Sequence, residues 1–407
     1  MTQGTVVTDL DLPYFNSDGL ERDEAMALAE ELAKESWIVR TDVGFAVLRQ
    51  ADVSALLRDK RFFNAISLIP QMQQAEDPTG YFSQRSPSII TTEGDAHTRL
   101  RRLVSPAFTP AAADRHRPAM RSVVTDLVAP WRGEGHIELV AEVCEPYPIP
   151  IICEVLGAPK EDWQLFSAWA TGIFKIFNSN VNEDLPDIIA ASTALADYVS
   201  DMVEERRSTP GEDLLSDLIA AEEAGDRLTT DELARLAEAV LMAGTDTTRN
   251  QLGCVMALFA QHPEQWARLR ADRSLVPKAI EEAMRYLGAV RATVRYASCD
   301  IVYRDLLFPE GTIVTTMLAA ANRDPAVFDH PDDFDIEATR GIEQMTFGSG
   351  VHRCLGAALA RAELQEALSV LLDEFATVSL DGPVEWKPPG FGIWGPARLP
   401  LAFTRPG

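Results

Sequence analysis

Apolar positions recur at helical spacing over most of the chain, and only short stretches switch to alternation. Residues 22–35 (RDEAMALAEELAKE) carry apolar side chains three and four apart, which predicts an amphipathic helix. Residues 36–49 place aromatic and β-branched side chains on either side of Asp42-Val43-Gly44 and predict a short hairpin; residues 51–58 return to helix. From Phe62 to Gly94 the pattern fails. Three prolines, two glycines and many polar residues there predict a loop, and a loop of that length in a compact chain is usually functional or mobile. Helical periodicity then holds to about residue 287. Its longest run, 229–262, opens on Thr229 and Glu232, spaced as a capping box, and stops before Pro263. At ~1.5 Å per residue such a helix is about 50 Å long. A helix over 276–287, a strand-rich region over 289–318 and a Pro- and Asp-rich loop over 322–341 follow. A helix over 355–375 and a tail of turns and short strands over 376–404 complete the pattern. No repeat, low-complexity linker or compositional break divides the chain. The expectation is one mainly α domain over residues 1–407 with a small β region.

Composition narrows this picture. The 407 residues include 37 basic and 62 acidic side chains, a net charge of −25, and 46% are apolar. Disorder needs low hydrophobicity alongside high charge, so a folded chain is expected. A pI near 4.6 argues against a nucleic-acid-binding face. Five cysteines, an odd and sparse number, fit a reducing compartment rather than a disulfide framework. Residues 1–20 have no basic segment followed by an apolar core, and no run of about 18 apolar residues occurs. The expectation is a cytoplasmic protein with no membrane partner.

Four motifs carry candidate chemistry. The first is Phe347-Gly348-Ser349-Gly350-Val351-His352-Arg353-Cys354-Leu355-Gly356. Glycines let a flat ligand approach the backbone, Phe347 can stack beneath it, and N–H groups with a following helix dipole are expected to lower the Cys354 pKa. The bland alternative is a buried structural cysteine after a turn. The second is Ala243-Gly244-Thr245-Asp246-Thr247-Thr248, in the middle of the longest helix. Glycine there costs roughly 1 kcal/mol against alanine. A threonine hydroxyl can bond the carbonyl four residues back, here from Thr247 to Ala243, and open a notch in the ladder. Asp246 and Thr247 pair an acid with an alcohol, a combination suited to moving protons; alone, the motif also reads as a Thr-rich kink with a solvated Asp. The third is Glu282-Ala283-Met284-Arg285, an i,i+3 ion pair that alone reads as a surface bridge. The fourth is His97-Thr98-Arg99-Leu100-Arg101, where His97 and Arg101 share a helix face and can grip one carboxylate, or simply form a solvated basic turn.

In this order and spacing the motifs resemble those of the cytochrome P-450 family, soluble bacterial haem-thiolate monooxygenases, over nearly the whole chain. The resemblance implies the mainly α cytochrome P-450 fold and haem b (iron protoporphyrin IX) as cofactor. By resemblance Cys354 is the iron's axial ligand, within a cofactor-binding loop that includes Phe347, Gly348, His352 and Gly356. His97, Arg101, Arg295 and His352 are placed to hold the haem propionates. Asp246 and Thr247 take the proton-delivery positions, and Glu282 with Arg285 the buried structural pair. The family adds a third partner, an Arg about four residues after the Phe of a P-x-x-F segment; Pro331 to Phe334 fit, but the nearest Arg, Arg340, lies six residues on.

The implied activity is O2-dependent hydroxylation, or oxidative dealkylation, of a moderately apolar small organic substrate. No G-x-G-x-x-G, P-loop or C-x-x-C cluster is present, so electrons are expected from an external ferredoxin or flavodoxin with its reductase. Arg102, Arg353 and Arg361 are the candidates for a basic docking patch. Substrate-lining segments are expected near 174–177, 241–243, 290–294 and 391–394. Cys144, Cys153, Cys254 and Cys299 lack metal-ligand spacing and are expected to be structural. An H2O2-driven peroxygenase and a non-catalytic haem-thiolate ligand-binding protein remain as alternatives.

Overall fold

The computed structural model describes residues 4–17, 19–72, 75–76, 80, 88–177, 181–223, 228–387 and 393–406. Helices predominate, and small sheets flank them. The hairpin forms as Ile38–Thr41 against Gly44–Val47, with Thr41 opposite Gly44. Gly44 sits at φ 137°, where a Cβ would approach the Ile313 carbonyl oxygen to 2.4 Å, so only glycine closes this turn beside the neighbouring strand. The hairpin is the edge of a five-stranded sheet that continues through Ile313–Thr316, Thr293–Ala297 and Phe62–Asn64. One pairing, Gly44–Val47 with Ile313–Thr316, is parallel; the other three are antiparallel.

That last strand corrects the expected loop over 62–94. Its first residues form the strand Phe62–Asn64 and the helical turns Ile66–Leu68 and Ile69–Met72. Aromatic Phe62 and Phe63 gain cross-strand partners in Ala297 and Tyr296, more than two hundred residues away, and local pattern does not carry that pairing. Residues 73–74, 77–79 and 81–87 lie outside the described residues.

The longest helix, Thr230–Gln261, forms as expected. The Thr229 hydroxyl accepts from the Glu232 N–H at 3.2 Å, and the Glu232 carboxylate accepts from the Thr229 N–H at 3.0 Å. Residues 248 to 260 of this helix are buried at every position, so it is a core strut rather than an amphipathic surface helix. It packs on Pro148–Leu156, Trp163–Phe174 and Val181–Ser208, and on the helix Ala357–Glu374, which follows the cysteine loop. The helix expected over 355–375 begins at Ala357, so Cys354 stands in the loop before it. Among the described residues no helix is long and apolar enough to cross a membrane.

Candidate active site

The cysteine loop is shaped by two glycines in the left-handed region, Gly348 at φ 66° and Gly350 at φ 72°. A Cβ on Gly350 would lie 2.0 Å from the Leu57 carbonyl oxygen, so the loop seats directly on the helix Gln50–Arg58. The Cys354 N–H donates to the Phe347 carbonyl at 2.9 Å and closes the loop. Arg361 lies 4.5 Å over the Phe347 ring. Arg101 donates to the Arg353 carbonyl at 2.5 Å, tying the helix Gly94–Val104 to the residue before the cysteine.

The expected lowering of the Cys354 pKa is corrected. The residue is exposed, yet desolvation by the surrounding loop pushes its thiol pKa up. A hydrogen bond from the Gly356 N–H and the charges of Arg101, Arg353 and Arg361 oppose that rise without overcoming it.

The four expected carboxylate-binding residues converge from three separate segments. The His97 and His352 rings stand 4.3 Å apart, centroid to centroid. Burial, with the positive fields of His352 and Arg101, pushes the His97 pKa down to about 4. Arg295 is 4% exposed, and burial drops even its guanidinium to about 10. Among the described residues it pairs with no carboxylate, and its hydrogen bond goes to the Val294 carbonyl at 2.9 Å. The motif reading missed a fifth group. Glu93, at the N-cap of Gly94–Val104, accepts from His352 Nε2 at 2.8 Å and from the Asn64 N–H at 2.6 Å. Burial pushes the Glu93 carboxyl up, but those bonds and the nearby His352 and Arg295 charges leave it below its ordinary value.

In the longest helix the Thr247 hydroxyl donates to the Ala243 carbonyl at 3.0 Å, the bond its spacing predicts. The helix nevertheless runs unbroken through this turn. Gly244 has a packing reason, since a Cβ there would meet Ile152 Cγ1 at 2.5 Å. Asp246 is not solvated. It is 4% exposed and accepts from Arg249 Nε at 2.6 Å, with Lys387 Nζ 3.8 Å away. Thr248 donates to Glu363 Oε2 at 3.2 Å. Glu363 is 2% exposed, its Oε1 has no partner, and burial raises its pKa to about 8. Nothing in the motif pattern marks Glu363, because its partner is 115 residues away.

Glu282 and Arg285 form a buried bidentate pair, with both bonds at 2.8 Å. Arg340 completes the triad despite its six-residue spacing, donating to Glu282 at 2.7 and 3.2 Å. Arg285 also donates to the carbonyls of Asn322, Pro331 and Asp333, so the triad pins the loop over 322–341 to the helix Val276–Tyr286.

Residues 159–392 match the family model for cytochrome P450. The chain belongs to the cytochrome P-450 family. It is 34% identical over 394 residues to the luteothin monooxygenase of Streptomyces thioluteus, covering 96% of this chain and 94% of that one. It is 35% identical over 376 residues to the mycinamicin IV hydroxylase/epoxidase of Micromonospora griseorubida, covering 91% and 90%. The crystal structure of CalO2 superposes with a TM-score of 0.89 at 29% identity, covering 97% of this chain and all of that one. The protein is a cytochrome P-450 monooxygenase, and its cofactor is haem b.

The residues present fit that cofactor. A buried Arg295 without a carboxylate partner and the cluster of His97, Arg101 and His352 suit a group carrying two acids. A thiol faced by three arginines and one N–H suits a thiolate-bound metal. Elsewhere, among the described residues, no group of three or more His, Cys, Asp and Glu is placed to hold a metal ion.

Other expected residues divide. Arg102 is exposed, but Arg353 bridges Glu343 at 2.5 Å, and Arg361 bridges Glu281 at 2.6 Å and Glu343 at 2.8 Å. The expected basic patch on this P-450 is therefore largely neutralised from within. Of the four cysteines expected to be structural, Cys144, Cys153 and Cys254 are buried, whereas Cys299 is exposed and lies outside the core. Of the expected substrate-lining segments, residues 391–392 lie outside the described residues. Trp394 stacks on Trp386 at 4.5 Å between centroids, with Arg291 5.3 Å from its ring.

Proposed function

We propose that the chain is a single haem-thiolate unit, with Cys354 as the axial thiolate and His97, Arg101, Arg295 and His352 holding the propionates. The observation that carries this reading is the convergence of basic groups from 97–101, 295 and 352 beside the cysteine loop, with Arg101 bonded to the Arg353 carbonyl. Bound haem supplies the redox chemistry that inserts one oxygen atom of O2 into a substrate bond with two electrons and two protons.

This chain's own residues supply the protons. Asp246 Oδ1 is held by Arg249 and faced by Lys387. Those two cations hold the carboxylate in one orientation beside Thr247. The Thr247 hydroxyl, which donates to the Ala243 carbonyl, exchanges that bond and hands the proton forward from Oγ1. The Gly356 N–H is bonded to the thiol, Gly348 turns the loop with its own N–H on the Met345 carbonyl at 2.7 Å, and the Phe347 carbonyl accepts from the Cys354 N–H. The substrate is a moderately apolar small organic molecule, which undergoes hydroxylation or oxidative dealkylation. The names of the luteothin and mycinamicin IV relatives support an organic substrate. Electrons arrive from a ferredoxin- or flavodoxin-type donor in the cytoplasm, docking on the cysteine side.

Reduced protein under CO is expected to give the Soret band of a thiolate complex, and Cys354→Ala to abolish it; a wild-type spectrum without that band overturns the reading. Asp246→Asn is expected to slow NADH-driven turnover about 10- to 100-fold. Thr247→Ala is expected to divert O2 consumption to peroxide. Turnover with H2O2 that exceeds the partner-driven rate would assign the protein as a peroxygenase instead.

A further inference from the structure

Glu93 is a half-buried carboxylate placed among groups that should receive the carboxylates of a cofactor. Electrostatics alone would exclude it, since like charges repel in a site of low polarity. Its contacts give the reason it is there. One oxygen accepts from His352 Nε2 at 2.8 Å and from the Asn64 N–H at 2.6 Å. Asn64 is the cross-strand partner of Arg295, so the same carboxylate stands beside the strand that carries the buried guanidinium. Glu93 also caps the helix that presents His97, whose ring lies against that of His352. Its side chain therefore joins the sheet to the cysteine loop, while its backbone carbonyl accepts from the His97 N–H at 3.3 Å and starts the histidine helix.

We propose that Glu93 is a positioning residue for the cofactor. It fixes the ring orientation of His352, and through it the cluster that grips the haem carboxylates. A carboxylate bonded to one imidazole nitrogen sets the tautomer and aims the other nitrogen, the device that second-layer carboxylates use behind metal-bound histidines. Free rotation of His352 would otherwise be lost only on cofactor binding, at a cost to affinity. This inference rests on the propionate-binding role proposed above for His352.

Haem transfer from the purified holoenzyme to apomyoglobin measures the grip directly, without substrate or redox partner. Glu93→Ala and His352→Ala are each expected to speed transfer by roughly tenfold, a typical loss for an outer-layer partner. The double variant is expected to be no faster than either single one, because both remove the same contact. Glu93→Gln keeps an acceptor oxygen and is expected to transfer haem at the wild-type rate. The ferric/ferrous potential, read by spectroelectrochemistry, is expected to rise in both Glu93 variants, since each removes a negative charge beside the cofactor. Wild-type transfer in Glu93→Ala, multiplied effects in the double variant, or an unchanged potential in both Glu93 variants overturns the proposal. His352→Ala transferring at the wild-type rate would instead overturn the propionate assignment beneath it.

Discussion

At the residue scale, burial decides more than sequence neighbours do. Asp246 and Thr247 are legible because the spacing to the Ala243 carbonyl is a property of any helix. The partners of the acid are not legible, because Lys387 reaches it from a different element. Glu363 makes the same point more strongly. Its raised pKa, about 8, comes from enclosure, with Thr248 offering a partly compensating hydrogen bond. The sign of the pH effect follows. As pH rises past the ordinary glutamate value the unfolded chain releases this proton, while the folded chain keeps it until about pH 8. Stability therefore falls across that window, by at most about 1.4 kcal/mol per pH unit. Glu363→Gln removes the titration, so its thermal midpoint relative to wild type should climb between pH 5 and pH 8; a constant difference would contradict the buried, neutral assignment.

At the scale of the element, the capping box, the long helix, the hairpin and the glycine-studded loop follow from local pattern. Their reasons sharpen in the structure. Gly348 and Gly350 look alike in sequence and share a left-handed φ, but a Cβ at Gly348 meets nothing within 4 Å, whereas one at Gly350 strikes the Leu57 carbonyl. Gly348→Ala is expected to cost about 1 kcal/mol, the backbone term alone. Gly350→Ala adds a backbone clash and should exceed about 3 kcal/mol in chemical unfolding, or fail to retain haem. Equal midpoints for the two variants would show that the loop does not rest on Gln50–Arg58. Phe62–Asn64 was illegible for a related reason, since a strand of that length is defined by the partner it meets and not by its own residues.

For the whole molecule, charge is the dominant constraint. With −25 overall, an acidic electron donor needs a face where repulsion is low. The cysteine side holds Arg353 and Arg361, but Glu343 and Glu281 bind both. Donor docking is therefore expected to depend only weakly on ionic strength in the wild type. Glu343→Gln, which releases Arg353 and leaves Arg361 paired with Glu281, should raise the electron-transfer rate from an acidic ferredoxin at low salt and steepen its salt dependence. An unchanged rate would move the docking face elsewhere. The sequence by itself determined the family, the mainly α fold and the cysteine, threonine and histidine–arginine motifs. Each of these is written in contiguous residues whose geometry a helix or a tight turn dictates. Only the tertiary structure decided which charges are free. Glu93 on His352, Glu363 on Thr248, Lys387 beside Asp246, Arg340 on Glu282 and Glu343 on Arg353 and Arg361 all join residues of different segments. Ion pairing and burial depend on distance in space, and a one-dimensional pattern does not contain that distance until the chain has packed.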